Sequence, residues 1–176
     1  STSQMRIPEN IFLVGSMGAG KSTIGKQLAK SLRKEFLDSD HEIESRTGVD
    51  IGYIFDLEGE EGFRKRERQA IEDLTQQRDI VLATGGGAIL SADNRSNLVS
   101  RGFVVYLYAP LNLLVERASR DRGRPLLDGH DPRERLTQLL EERDPLYRQV
   151  ADLVMETDER STRLVVKDLL RHIEEL

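Results

Sequence analysis

The chain contains no cysteine, which excludes a disulfide framework and any thiolate metal site. Long hydrophobic runs are also missing. The longest, such as FVVYLY, reach about six residues, against the ~20 that a membrane-crossing helix requires. The opening STSQMRIPEN has no apolar core of the kind a secretory signal carries. Charge of one sign is only mildly in excess: 26 Lys and Arg against 31 Asp and Glu leave a net charge of −5, which argues against nucleic acid as the main partner. No internal repeat, low-complexity tract or linker interrupts the sequence. His41, His130 and His172 lack metal-ligand spacing and receive no role. What remains is a chain of 176 residues, 38% apolar and 32% charged, long enough for one well-cored domain and too apolar to stay disordered. These absences lead us to expect a cytoplasmic protein that engages neither membrane nor nucleic acid.

One stretch carries a specific chemical signal. In FLVGSMGAGKST, residues 12–23, an apolar run enters a glycine-rich turn that closes on a lysine. Gly15 followed by Gly20, Lys21 and Ser22 fits G-x-x-x-x-G-K-[ST], a pattern expected by chance roughly 0.01 times in a chain of this length. Gly15, Gly18 and Gly20 allow a tight turn. Successive N–H groups can then converge on an anion, and a helix starting near Lys21 adds its positive end. Lys21 supplies a full charge to the outer phosphates, and Ser22 offers its hydroxyl to Mg²⁺. The plain alternative is an ordinary strand-to-helix turn; the strand and helix patterns on either side favour the phosphate loop.

Short apolar runs predict strands over Ile11–Gly15, Ile80–Thr84, Val104–Tyr108 and Leu153–Thr157, and the brief EFLD over Glu35–Asp38 is read as a strand mostly from its position. Helical patterns lie between them, over Lys21–Leu32, Glu61–Gln77, Ser91–Ser100, Leu111–Asp121, Arg133–Arg143 and Thr162–Leu176. Alternation of strands and helices implies an α/β domain with a parallel sheet covered on both faces. In such sheets ligands sit beyond the carboxyl ends of the strands.

That rule directs attention to the residues just past each strand. The second strand runs into Asp38 and Asp40 in DSD. On an extended segment both side chains face one way, so one carboxylate could serve Mg²⁺ and the other accept a proton from a hydroxyl. Equally, the pair could cap the helix that begins there. The third strand runs into Gly85, Gly86 and Gly87, which suit a backbone wall close to a substrate or a simple flexible turn. Between Arg117 and Arg135 six arginines accompany glycines and prolines; such a loop could close over transferring phosphates or be a solvated basic segment. Arg64 and Arg143 lie in strongly charged helical patterns, where surface ion pairing is the default. No apolar run ends in a Walker-B type aspartate, which disfavours a motor ATPase or an ordinary GTPase.

Taken together, GSMGAGKST, FLDSDHEIESRTG, IFDLEGEEGFRKRE, LATGGGAI, RPLL and ERDPLYRQVAD, in that order, resemble the shikimate kinase family over nearly the whole chain, with no departure at a functional position. The resemblance implies a single P-loop kinase domain over residues 1–176, related to the nucleoside monophosphate kinases. Its five-stranded parallel sheet would be ordered 2-3-1-4-5, with a substrate-binding region near residues 38–66 and a lid near residues 117–135. The implied reaction moves the γ-phosphoryl of ATP to the 3-hydroxyl of shikimate, with one Mg²⁺ ion, in a monomer. By the same resemblance Gly18, Ala19, Gly20, Lys21, Ser22 and Thr23 hold the ATP phosphates, and Ser22 and Asp38 serve the metal. Asp40 holds the shikimate hydroxyls and is the candidate base. Arg64, Gly86 and Arg143 hold the substrate carboxylate, Arg124 reaches from the lid to the ATP phosphates, and Arg160 lies on the adenine side. Two rivals stand beside this reading: another P-loop small-molecule kinase, such as a gluconate kinase, and a non-catalytic nucleotide-binding regulator.

Overall fold

A computed structural model of the chain describes residues 7–120, 131–158 and 161–176. Arg124, Arg160 and residues 121–130 of the expected lid lie outside them. The five expected strands are Ile11–Val14 (β1), Glu35–Asp38 (β2), Ile80–Ala83 (β3), Phe103–Tyr108 (β4) and Leu153–Glu156 (β5). All neighbours pair in parallel, in the order β2-β3-β1-β4-β5, as the resemblance implies. Seven α-helices are present among the described residues: Lys21–Leu32 (α1), Ser39–Thr47 (α2), Ile51–Leu74 (α3), Ala92–Arg101 (α4), Leu111–Arg120 (α5), Pro132–Val150 (α6) and Thr162–Glu174 (α7). None is long and apolar enough to cross a membrane.

Period-two alternation in the central strands builds two cores, one on each face of the sheet. Ile11, Leu13, Val81, Val105 and Leu107 point to one face, where Ile24 and Leu28 of α1 and Val165 and Leu169 of α7 cover them. Phe12, Val14, Leu82, Val104 and Tyr106 point to the other, against Leu74 of α3, Leu98 of α4 and Tyr147 of α6. Burial on both faces explains why these strands read as unbroken apolar runs.

Two helices run further than the sequence predicts. α3 begins at Ile51, capped by the Asp50 carboxylate accepting from Tyr53 N, rather than at Glu61. It is broken at Gly59, whose φ is 71°, so the early glycine hides a helix that is really two segments. α6 continues past Arg143, through Pro145, to Val150. Proline inside a helix costs about 3 kcal/mol. Here Tyr147 and Val150, both buried, pack on the sheet beyond it and hold the helix together.

Candidate active site

β1 lies between β3 and β4, so the connections leave it toward opposite sides and open a crevice at its carboxyl end. The glycine-rich loop sits in that crevice. Gly15, Gly18 and Gly20 adopt φ of 148°, 82° and 91°, values a side chain rarely tolerates. Gly20 directly precedes α1, which therefore starts at Lys21 with its positive end on the loop. Lys21 Nζ donates to the carbonyls of Gly15 at 2.6 Å and Ser16 at 2.8 Å, so its ammonium is held at the mouth of the loop. The loop, Lys21, Ser22 and Thr23 line a cleft of about 430 Å³ that is also lined by Thr157, Asp158 and Thr162. The Arg117 guanidinium donates to the Gly18 carbonyl and completes the cleft wall.

Both readings of the acidic pair apply to Asp38. Its Oδ1 accepts from Asp40 N at 2.9 Å and His41 N at 3.2 Å and caps α2. Its Oδ2 accepts from Ser22 Oγ at 2.7 Å. A hydroxyl and a carboxylate oxygen side by side at a phosphate loop suit Mg²⁺, which takes few protein oxygens and keeps phosphates and waters. The expected geometry of Asp40 is corrected: β2 ends at Asp38 and α2 starts at Ser39, so Asp40 does not follow on an extended segment. It stands in the first turn of α2 and reaches the cleft because that helix begins at the crevice.

A second cavity adjoins the first. It is lined by Arg64, Glu67, Arg143, Phe63 and the three glycines, and it shares Asp40, Gly85 and Gly86 with the phosphate cleft. Arg143 is buried, only 4% exposed, which overturns the surface-pairing default for that residue. Arg64 is mostly buried too, its side chain 15% exposed, and is held by Glu67 at 2.9 Å and by Glu60 at 3.4 Å. The buried Nε atoms of Arg64 and Arg143 have no hydrogen-bond partner among the described residues. Two such guanidinium groups facing one small cavity suit an anion of carboxylate shape. The glycines are needed for close approach: a methyl at Gly87 would fall within 2.5 Å of the Arg64 guanidinium, and one at Gly85 would stand 2.7 Å from Asp40 Oδ1.

Glu67 is 1% exposed. Burial pushes its carboxyl up to about 7; the Arg64 charge opposes the rise and Asp40 adds to it. The folded state thus keeps a proton that the unfolded chain releases near its ordinary value of 4.5. This contribution to stability is complete below about pH 4.5 and is lost as pH rises to about 7. Relative to Glu67→Gln, the native chain should lose stability with rising pH across that window, by at most roughly 1.4 kcal/mol per pH unit. Urea denaturation of both chains across the window checks it; parallel stability curves would show that Glu67 does not titrate there.

The structure thus brings Lys21, Ser22, Asp38, Asp40, Arg64, Gly86 and Arg143 to one continuous cleft. Sequence reasoning passes over Glu67 and gives Arg117 no more weight than its neighbours. Glu67 follows Arg64 by three residues, a helical ion-pair spacing that could have been read. Nothing local distinguishes Arg117, because its partner, the Gly18 carbonyl, is 99 residues away.

Comparison with known proteins bears on what this cleft does. A family model described as shikimate kinase matches residues 17–174. A shikimate kinase of Vibrio parahaemolyticus is 56% identical over 166 residues, covering 94% of this chain and 96% of its own length. One from Shewanella loihica is 57% identical over 161 residues, covering 92% of this chain and 94% of its own. Among solved structures, shikimate kinase from Acinetobacter baumannii in complex with shikimate superposes with a TM-score of 0.94 at 49% identity, covering 99% of this chain and 98% of that one.

Proposed function

The chain belongs to the shikimate kinase family, and from that premise we propose how its residues carry the transfer of the γ-phosphoryl of ATP to the 3-hydroxyl of shikimate. The protein is an ATP-dependent phosphotransferase acting on shikimate. The observation that supports our assignment of roles is the junction of the two cavities: Asp40, Gly85 and Gly86 line both. A phosphoryl donor on one side and a hydroxyl acceptor on the other would meet beside Asp40.

The phosphate loop, from Gly18 to Thr23, receives the ATP phosphates. Arg64 and Arg143 grip the carboxylate of shikimate, a small acid with three hydroxyls, and this fixes which hydroxyl faces Asp40. As the bond from the 3-oxygen to phosphorus forms and the bond to the bridging β,γ-oxygen breaks, the hydroxyl proton passes to the Asp40 carboxylate. Lys21 neutralises charge that builds on the transferring group. Mg²⁺, held by Ser22 and Asp38, would supply further charge neutralisation on the phosphates. Residues near 38–66 act as the substrate-binding region and those near 117–135 as the lid, which excludes water from the transfer. The same reading gives Arg124 and Arg160 their roles on ATP and takes the enzyme to be a cytoplasmic monomer.

A coupled ADP-release assay with shikimate, with gluconate and with no acceptor tests the function. ADP release with shikimate alone is expected. Release with gluconate would favour the sugar-acid kinase, and none with either would favour the regulator.

Arg64 admits a sharper test. Arg64→Lys keeps the charge but loses the planar two-donor fork. Shikimate affinity should fall by roughly one to two decades, since a charge-assisted hydrogen bond is worth about 1.5–3 kcal/mol. ATP affinity should barely change. Lys65→Ala and Arg66→Ala are the controls; Arg66 pairs with Glu58 at 2.7 Å, outside the cleft. Separate titrations of the two substrates decide it, and an equal loss in the controls would remove Arg64 from the clamp.

A further inference from the structure

The motif ERDPLYRQVAD contributes more to the cleft than Arg143. Tyr147 follows Arg143 by four residues on α6, so the two side chains share one helix face. Tyr147 is 1% exposed. Its ring packs on Tyr106, with centroids 4.8 Å apart. Its hydroxyl donates to the carbonyl of Gly86, 61 residues away and on the wall of the substrate cavity.

A phenol has one hydrogen to give. Burial pushes this hydroxyl up to about 12, opposed chiefly by the positive charge of Arg143. It therefore stays protonated at any physiological pH, and its hydrogen is committed to Gly86. One hydroxyl thus ties α6, which carries Arg143, to the glycine wall.

The wall needs such an anchor. Three consecutive glycines leave their peptide planes free to rotate over a wide range. The structure fixes each plane from one side. Gly85 N donates to Ser39 Oγ at 3.1 Å, and the Gly85 carbonyl accepts from Ala88 N at 3.1 Å. Tyr147 fixes the third plane through the Gly86 carbonyl. Because a trans peptide is planar, holding that carbonyl sends the Gly87 N–H in the opposite direction, away from Tyr147. Gly86 also sits hard against the phosphate loop: a methyl there would stand 3.3 Å from Met17 N and 3.7 Å from Arg143 Nη1.

We propose that Tyr147 is a positioning residue whose hydroxyl clamps the Gly86–Gly87 peptide, so that this backbone receives the substrate carboxylate in one orientation between Arg64 and Arg143. The proposal rests on the shikimate-binding reading of the cavity. It assigns Tyr147 no contact with the reacting atoms. Its role is to hold the backbone that meets the carboxylate.

Tyr147→Phe keeps the ring and removes the clamp. Tyr106→Phe is the control: Tyr106 stacks on Tyr147 but donates its hydroxyl to Asp144 Oδ1, at 2.6 Å, and not to the glycine wall. Both full-length variants and the native enzyme are assayed with shikimate, with a neutral analogue carrying hydroxymethyl in place of carboxylate, and with varied ATP. In Tyr147→Phe the KM for shikimate should rise about tenfold, the effect of one lost buried hydrogen bond. Turnover at saturation should stay within about threefold and the KM for ATP within about twofold, because the lost contact is not made to the transferring group. The value of kcat/KM for the neutral analogue should not fall, and Tyr106→Phe should match the native enzyme throughout. An unchanged KM for shikimate overturns the proposal. So does an equal fall for shikimate and the analogue, or an equal fall in Tyr106→Phe, since either would mean a generally loosened site. Native enzyme that fails to phosphorylate shikimate overturns the functional reading itself and the clamp with it, and is told apart by the absence of ADP release before any variant is compared.

Discussion

Lys21→Ala should lower turnover by two to three decades while the protein stays folded. The lysine sits at the start of α1 with its ammonium held by the Gly15 and Ser16 carbonyls, at 2.6 and 2.8 Å, at the place where the outer phosphates of a nucleotide would lie. Removing one preorganised cation from a transition state costs about 3–4 kcal/mol. The same truncation frees two loop carbonyls. They can turn to solvent at the mouth of the loop, so stability should fall by only about 1 kcal/mol. In a chain of this size that is a drop in melting temperature of roughly 2–4 °C. Steady-state turnover, circular dichroism and a thermal melt on the same sample check the prediction. Near-native turnover with an intact spectrum would deny Lys21 its role; a collapsed spectrum would assign it to the fold instead.

Asp40→Asn is expected to be nearly as damaging, and for a separable reason. Proton transfer by a placed base contributes about 10²–10⁴ in rate, and asparagine cannot accept the proton. The structure makes the rival explanation testable, because it assigns the helix cap to Asp38, whose Oδ1 holds Asp40 N and His41 N. Asp40 itself places a negative charge in the first turn of α2, worth about 0.3–1 kcal/mol. Asp40→Asn should therefore lose at least two decades of turnover with little change in melting temperature. Asp38→Ala should lose activity and about 1 kcal/mol of stability together, as a lost cap requires. If Asp40→Asn keeps its turnover within a few-fold, the base must be sought elsewhere and Asp40 reduced to orienting the hydroxyl.

The contrast between these two aspartates shows how far local sequence reaches. DSD after the brief segment EFL indicates two carboxylates at a strand end, and both do line the cleft. It does not indicate where the strand stops. Whether Asp40 is a strand or a helix residue depends on Asp38 turning its carboxylate onto the following N–H groups. Pro145 and Gly59 also mislead. Pro145 is a helix breaker by intrinsic preference, yet it lies inside a helix that the buried Tyr147 and Val150 beyond it sustain, whereas Gly59 does break α3 and conceals only the segment before it.

By itself the sequence determined whatever is written in short-range order. The glycines and lysine of the phosphate loop, the apolar strands, the alternation with helices and hence the doubly covered parallel sheet all follow from chemistry between neighbours. The ordered set of motifs was enough to identify the family. Only the tertiary structure decided which charges leave the surface. Arg64 and Arg143 look like ordinary members of charged helices, yet Arg143 is 4% exposed and both line one cavity with Glu67. Likewise Arg117 finds its partner 99 residues away, and Tyr147 holds a carbonyl 61 residues distant. Burial and partnership of this kind are properties of surfaces brought together by the sheet. A single residue's neighbours in sequence carry no record of them, because the desolvation that makes those charges functional exists only once the two sides of the cleft have closed on each other.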